Sequence, residues 1–90
     1  MKSEEILKIA SKLVSGDRAK AYGDKKKLHD KTAKMWSAFL GYTIHAEQVA
    51  HMMVMLKIAR TTTGNNPDNY VDAAAYSAIA GEINDHNKNK

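Results

Sequence analysis

Apolar residues recur at helical spacing in four stretches of the chain, and each stretch is bounded by residues that start or stop helices. In the first stretch the apolar positions are Ile6, Leu7, Ala10, Leu13 and Val14. Repeats of three and four residues indicate one face of an amphipathic helix. Ser3 is suited to cap the start of this helix, and Gly16 is suited to end it.

The second long helix is expected to follow Asp24, a capping residue, and to end at Gly41. Before it, residues 18–22 form a short helical turn that Gly23 ends. The stripe expected to face the core consists of Leu28, Thr32, Met35, Trp36 and Phe39, and the polar stripe consists of Lys27, Lys31 and Lys34.

The third helix, over about residues 46–61, is apolar on two faces. One face carries Val49, Met52, Met53, Leu56 and Ala59, and the other carries Val54, Met55 and Ile58. A helix that is apolar nearly all round is buried on more than one side. In so short a chain, we expect one of these sides to contact another subunit.

The fourth helix begins after a polar loop, because Asn66 followed by Pro67 is the pattern of an N-cap and a first helical residue. Its expected buried face is Val71, Ala74, Ala75, Ala78, Ile79 and Ile83. The pattern predicts an all-α fold, a small four-helix bundle that includes a short turn-helix and is oligomeric through its third helix. We expect one domain over residues 1–84 and a frayed polar tail over residues 85–90.

Composition narrows the class of protein. The chain has 90 residues and no cysteine, which excludes disulfides and thiolate metal sites. A domain of this size buries only roughly 60% of its unfolded surface, so self-association is expected to add stability. The N-terminus lacks the apolar segment of a signal peptide, and the longest apolar run is too short to span a bilayer. We therefore expect a cytoplasmic protein that makes no contact with a membrane.

The net charge of +4 is unevenly distributed. Residues 1–45 carry ten Lys and Arg against five Asp and Glu, whereas residues 46–90 carry four against five. The basic half is a candidate surface for partners that carry phosphate, or it is a solvated face.

Charged residues gather where the third and fourth helices meet, with Lys57 and Arg60 before the loop and Asp68 and Asp72 after it. Helices joined by a short loop pack antiparallel, which brings these side chains together. They are therefore expected to form interhelical ion pairs, or Lys57 and Arg60 face a bound phosphate. Arginine suits the second role through its planar donor fork.

A second candidate for phosphate binding lies before the second helix, where Arg18 and Lys20 accompany Tyr22 and Gly23. A helix N-terminus favours anions, although glycine and a capping aspartate also explain a plain turn. Tyr22, Trp36 and Tyr76 are candidates for stacking on a base. For Trp36, Phe39 and Tyr76, core packing is the competing interpretation.

Metal and covalent chemistry have little support. Glu47 and His51 share a helix face, but two ligands do not make a metal site, and His45 is better placed as an N-cap. The chain contains neither a Gly-x-Ser-x-Gly elbow nor a Walker A loop. We expect no cofactor and no catalytic residue.

Several blocks resemble, in order and spacing, a family of small uncharacterised proteins common in tailed bacteriophages and prophages. The blocks are Arg18-Ala-Lys-x-Tyr22-Gly23-Asp24, Trp36-Ser-Ala-x-Leu40-Gly41, Val49-Ala-x-Met52-Met-Val-x-Leu56-Lys57-Ile-Ala-Arg60 and Asp68-x-x-Val71-Asp72-x-Ala74-x-Tyr76. The resemblance covers about residues 10–82 and implies a phage origin, a compact helical protein and the cytoplasm of an infected bacterium. It implies no reaction. The chain departs from that pattern at His45-Ala46, where the family tends to have threonine and proline.

The pair Asp68-x-x-x-Asp72 is also similar to the last acidic motif of the MazG-like all-α nucleoside triphosphate pyrophosphohydrolases. Those enzymes surround magnesium with paired acidic motifs, because magnesium requires several oxygen ligands. Here only Glu47 precedes the pair at a position expected to face inward, so the first motif is missing.

Three hypotheses follow. The first is a non-enzymatic, homo-oligomeric phage accessory protein that binds a nucleotide or cyclic nucleotide, such as a host immune signal that it sequesters. The second is a nucleic-acid or host-protein binding module that uses the basic second helix. The third and least favoured is a magnesium-dependent nucleotide pyrophosphohydrolase.

Overall fold

The computed structural model describes residues 1–15 and 25–88 of the chain. These residues form four α-helices, a short 3-10 turn and no strand. The helices are α1 (Ser3–Leu13), α2 (Lys25–Leu40), α3 (Ala46–Arg60) and α4 (Asp68–Lys88), and the 3-10 turn is Thr61–Thr63. The prediction of a small all-α bundle is confirmed. The expected turn over residues 18–22, with Gly16, Gly23 and Asp24, lies outside the described residues.

Local capping chemistry explains most of the helix ends. The side chain of Gln48 accepts a hydrogen bond from the backbone N–H of His45 at 2.8 Å, which places His45 at the N-cap of α3 as predicted. Asn66 Oδ1 accepts a hydrogen bond of 3.0 Å from the backbone N–H of Asp68 and so caps α4. Gly41 ends α2 with φ of 80°, a left-handed conformation that glycine adopts without steric cost.

The start of α1 differs from the prediction. Lys2 rather than Ser3 occupies the N-cap position, and Ser3 is already within the helix. Glu4 and Glu5 lie in its first turn, where carboxylates interact favourably with the helix dipole. These acids are therefore the local feature that favours a helix start here.

The two central helices are α3 and α4. Ala50, near the start of α3, packs in a cluster with Ile79, Ala80 and Ile83 of α4, whereas Lys57, near its end, lies beside Asp72. The two helices therefore run antiparallel. Helix α1 packs on α4 through Ala10, Val71 and Ala75. Helix α2 packs mainly on α3, and Ala33, Ile44 and Val49 form that contact.

The predicted core stripe of α2 was wrong at three of its five positions. Leu28, Met35 and Phe39 are exposed, and Phe39 retains 89% of its accessible surface. The buried residues of α2 are instead His29 and Ala33, with Trp36 partly buried against the same cluster. Compared with the prediction, α2 is rotated about its axis. The small side chain of Ala33 permits close approach to α3, and the Ser37 hydroxyl accepts a 2.7 Å hydrogen bond from the N–H of Ile44, which holds this face inward.

Helix α4 largely follows the prediction. Val71, Ala75, Ile79 and Ile83 are buried as expected, but Ala78 is exposed, and Asn69, Ala73 and Ala80 are buried in addition. The helix continues to Lys88, so residues 85–88 are helical rather than frayed. His86 and Lys88 lie in the last turn, where cations favour the helix end.

On α3, Val49 and Ala50 are buried, whereas Met52, Met55, Leu56 and Ile58 remain exposed. In the part of the chain that the structure describes, no helix is both long enough and apolar enough to cross a membrane.

Candidate functional site

Lys57 and Asp72 form an ion pair across the α3–α4 hairpin. Lys57 Nζ lies 3.2 Å from Asp72 Oδ2, and the two side chains retain 17% and 32% of their accessible surface. Of the two interpretations of this charged group, interhelical ion pairing is thus realised for Lys57 and Asp72. Phosphate binding by Lys57 stays a prediction.

Arg60 and Asp68 are both exposed, and neither forms an ion pair with any residue in the ranges 1–15 and 25–88. Arg60 is three residues beyond Lys57, so both side chains leave α3 on neighbouring turns. A guanidinium in this position is available to a ligand that approaches the hairpin from solvent.

Further polar side chains continue from the ion pair along α4. Asn69, Asp72 and Tyr76 share one face of this helix by their spacing. Asn69 retains only 5% of its accessible surface, and Tyr76 is half-buried. We call His29, Lys57, Asn69, Asp72 and Tyr76 the polar seam, because they lie along the contacts of α4 with α2 and α3.

His29 closes the seam on the α2 side. Its ring centroid is 6.2 Å from that of Tyr76, with the ring planes inclined by 59°. Its Nδ1 lies 2.6 Å from the carbonyl oxygen of Lys25. A carbonyl only accepts, so Nδ1–H donates. Sequence reasoning missed this residue, although its four-residue spacing from Ala33 on a lysine-rich helix was an available signal for an inward position.

Trp36 lies away from the Lys57–Asp72 ion pair. It packs against Ala33, Ile44 and Val49 at the start of α3. Val49 precedes Lys57 by eight residues, which is about 12 Å along a helix. Core packing is therefore the role that the contacts of Trp36 support. Arg18, Lys20 and Tyr22 lie outside the described residues, and their roles stay predictions.

Three open clefts lie elsewhere on the surface. One of about 300 Å³ includes Lys25, Glu82 and His86. Another of about 500 Å³ includes Lys34, Thr43 and His45. A third of about 310 Å³ lies between α1 and the α3–α4 loop. Lys57 and Asp72 line none of these three clefts.

The polar seam offers an ammonium, a carboxylate, an amide, an imidazole and a phenol within one stretch of helix contact. Such groups recognise polar ligands through hydrogen bonds and charge. Within residues 1–15 and 25–88, no group of three or more His, Cys, Asp or Glu residues is arranged to hold a metal ion.

Fold and seam together define a small all-α bundle protein with charged and polar groups between its central helices. Comparison with known proteins identifies the family. The chain belongs to the family described as "Domain of unknown function (DUF6378)", whose model matches residues 5–84.

Two relatives come from bacteriophages. The Gene 55 protein of Mycobacterium phage L5 is 41% identical over 76 residues, which cover 82% of this chain and 49% of that protein. The Gene 55 protein of Mycobacterium phage D29 is 35% identical over 82 residues, which cover 90% of this chain and 54% of that protein. The chain thus spans about half the length of these relatives. No solved structure matches the chain. The expected relationship to phage proteins is confirmed.

Proposed function

We propose that this chain is a non-enzymatic phage accessory protein that self-associates and binds a small phosphorylated ligand at the polar seam. The ligand is a nucleotide or a host immune signalling nucleotide, which the protein sequesters as a counter-defence in the cytoplasm of the infected cell. The observation that carries the proposal is the partly buried ion pair of Lys57 and Asp72, 3.2 Å apart.

The energetic argument concerns where polar and apolar groups lie. Removing two charges from water is costly, and replacing such a pair by apolar residues is often neutral or stabilising. This chain nevertheless places Lys57, Asp72, Asn69 and His29 between helices while it leaves Phe39 exposed to solvent. Departures of this kind from stable packing concentrate at functional sites. The polar seam is therefore the best candidate site.

The geometry supports the chemical class of the ligand. Lys57 and exposed Arg60 leave neighbouring turns of α3, and the planar guanidinium suits a phosphate group. Tyr76 lies one helical turn beyond Asp72 and offers a ring to a base. Arg18 and Lys20 remain expected contributors of positive charge, and Tyr22 remains an expected stacking residue. In this proposal Asp72 orients Lys57.

Isothermal titration calorimetry with a panel of nucleotides and cyclic nucleotides tests the proposal. We expect at least one compound to bind the wild-type protein. The double variant Lys57→Met/Asp72→Leu should keep its helical circular dichroism and lose that binding, because it replaces the charges by side chains of similar volume.

The matched control is Lys25→Met/Glu82→Leu, which removes a second interhelical ion pair, 3.1 Å long, between α2 and α4. This control should bind as the wild type does. The proposal fails if no compound binds at millimolar concentration, or if the Lys57→Met/Asp72→Leu protein binds unchanged.

A second candidate function is a binding module for nucleic acid or a host protein that uses the basic helix α2. The observation that favours it is the exposed position of Lys31 and Lys34 on the same face as Lys27. Binding to a phosphate backbone would weaken steeply as salt is raised. A gel shift that does not depend on salt, or no shift, would exclude nucleic acid.

A further inference from the structure

The outward face of α2 carries an apolar stripe at a regular spacing. Leu28, Thr32, Met35 and Phe39 follow one another at intervals of four, three and four residues. This is the spacing at which one helix packs along another in a coiled coil. We call these four residues the α2 stripe. Its three large apolar members are all exposed.

The α2 stripe is not covered by the described part of the chain. Phe39, Met35 and Leu28 retain 89%, 66% and 53% of their accessible surface. Contiguous exposed apolar surface of this kind marks a site where a partner can dock.

The charges beside the α2 stripe restrict what that partner is. Lys31 borders the stripe directly, and Lys27 and Lys34 lie further round the same side; all three are exposed. On the other side, the bordering cation Lys25 lies 3.1 Å from Glu82 in an ion pair, and the helix surface beyond it packs on the protein's own core. A helix docked on the stripe would therefore meet an excess of positive charge along one edge.

An antiparallel second copy of α2 fits this surface poorly. When two identical helices pair antiparallel about a twofold axis, the same edge of each helix meets its counterpart, so the edge that carries Lys31 would face the same edge of the partner. Like charges in an interface disfavour association. The exposed stripe of α3 carries Met52, Met55 and Leu56, and its nearest exposed cation, Arg60, lies one turn beyond Leu56 at the end of the helix. A cation at the end of a stripe opposes such pairing less than one beside its middle, so the α3 face suits a second copy better.

We infer that the α2 stripe is a docking surface for an amphipathic helix of a different protein, one that carries carboxylates along one edge of its apolar face. The inference deepens the second candidate function, that of a binding module using α2, by specifying that its partner is a protein helix with acidic residues. It is independent of ligand binding at the polar seam. The apolar stripe favours this partner over nucleic acid, because a charged phosphate backbone would not cover the apolar side chains of Phe39 and Met35.

Fluorescence anisotropy with two labelled synthetic peptides tests the inference. Both peptides are helical and share the apolar spacing of a coiled-coil seam, but one carries glutamate along the edges and the other lysine. We expect the glutamate peptide to bind the full chain at least tenfold more tightly than the lysine peptide, and more weakly as salt is raised.

Variants of exposed residues assign the binding surface. Lys31→Glu/Lys34→Glu should reverse the preference between the two peptides, and Phe39→Ser should abolish binding. The control Leu7→Ser removes an exposed apolar side chain from α1, outside the surface proposed for self-association, and should leave peptide binding unchanged. Lys57→Met/Asp72→Leu should also leave peptide binding unchanged. The experiments therefore distinguish a wrong proposal of ligand binding at the polar seam from a wrong inference about the α2 stripe.

Three outcomes would overturn the inference. The first is that the two peptides bind equally, or that neither binds at millimolar concentration. The second is that Phe39→Ser lowers the molar mass of the protein in light scattering, because a second copy then covers the stripe. The third is that duplex DNA binds in a way that Lys31→Glu/Lys34→Glu abolishes and Phe39→Ser does not, which would assign the surface to nucleic acid.

Discussion

At the scale of single residues, the Lys57–Asp72 pair is less exposed to water than the Lys25–Glu82 pair. The Lys57 and Asp72 side chains retain 17% and 32% of their accessible surface, whereas those of Lys25 and Glu82 retain 32% and 64%. Exposed pairs contribute little to stability, but loss of one member of a buried pair leaves an uncompensated charge. The consequence of a single substitution should therefore depend on which pair is broken.

We expect Asp72→Ala to lower the free energy of unfolding by about 1–2 kcal/mol, a value between those for exposed and fully buried pairs. Glu82→Ala should lower it by less than about 0.5 kcal/mol, because solvent screens that pair. Urea denaturation followed by circular dichroism measures both. Equal effects of the two substitutions would contradict this view of the pair.

At the scale of helices, three ends were predicted correctly, whereas the start of α1, the end of α4 and the buried face of α2 were not. Asn66, His45 and Gly41 act through contacts within a few residues of the chain, so the sequence around them contains what is needed to place a helix end. For α2, the stripe through Phe39 and the face through Ala33 and Trp36 are both apolar enough to be buried. Packing against α3 decides which of the two faces is buried. These contacts join residues far apart in the sequence, so the pattern within α2 does not reveal them.

The candidate site divides in the same way. Ion pairing across the hairpin followed from two antiparallel helices joined by a short loop, but the sequence placed Arg60 rather than Lys57 nearest to Asp72. The position of His29 beside Tyr76 depends on the rotation of α2, which the apolar pattern predicted incorrectly. Trp36 was a candidate both for base stacking and for core packing, because the sequence does not reveal which residues surround its ring.

The start of α4 provides a test at this scale. Asn66→Ala removes the acceptor for the N–H of Asp68, 3.0 Å away, and should lower the free energy of unfolding by about 1 kcal/mol. Asn66→Asp should retain most of the stability, since its carboxylate accepts the same hydrogen bond. Thermal and urea unfolding measure both variants. The adjacent Asn65→Ala is the control, and a loss as large as that of Asn66→Ala would show that capping is not the cause.

At the scale of the whole molecule, two helices present exposed apolar stripes. The α3 stripe has its nearest exposed cation, Arg60, at its end, whereas the α2 stripe is bordered by Lys31 beside its middle. A small domain gains stability by covering such surface, since it buries a modest fraction of its chain alone. Self-association through α3 stays a prediction.

Met55→Glu and Leu56→Glu should each convert the protein to a monomer, because both place a charge within the proposed interface between copies. Light scattering coupled to size-exclusion chromatography measures the molar mass. Leu7→Glu, at an exposed position on α1, is the control and should keep the mass of the wild type. A wild-type protein that is monomeric at every concentration would exclude self-association through α3.

The shallow seating of α2 has an evolutionary consequence. This helix buries only His29 and Ala33, whereas α4 buries seven residues. Substitutions along its outer surface therefore cost little folding stability. Under the inferred docking at α2, we expect related phage proteins to exchange one binding partner for another by changing the outer residues of this one helix, while the hairpin of α3 and α4 preserves the fold.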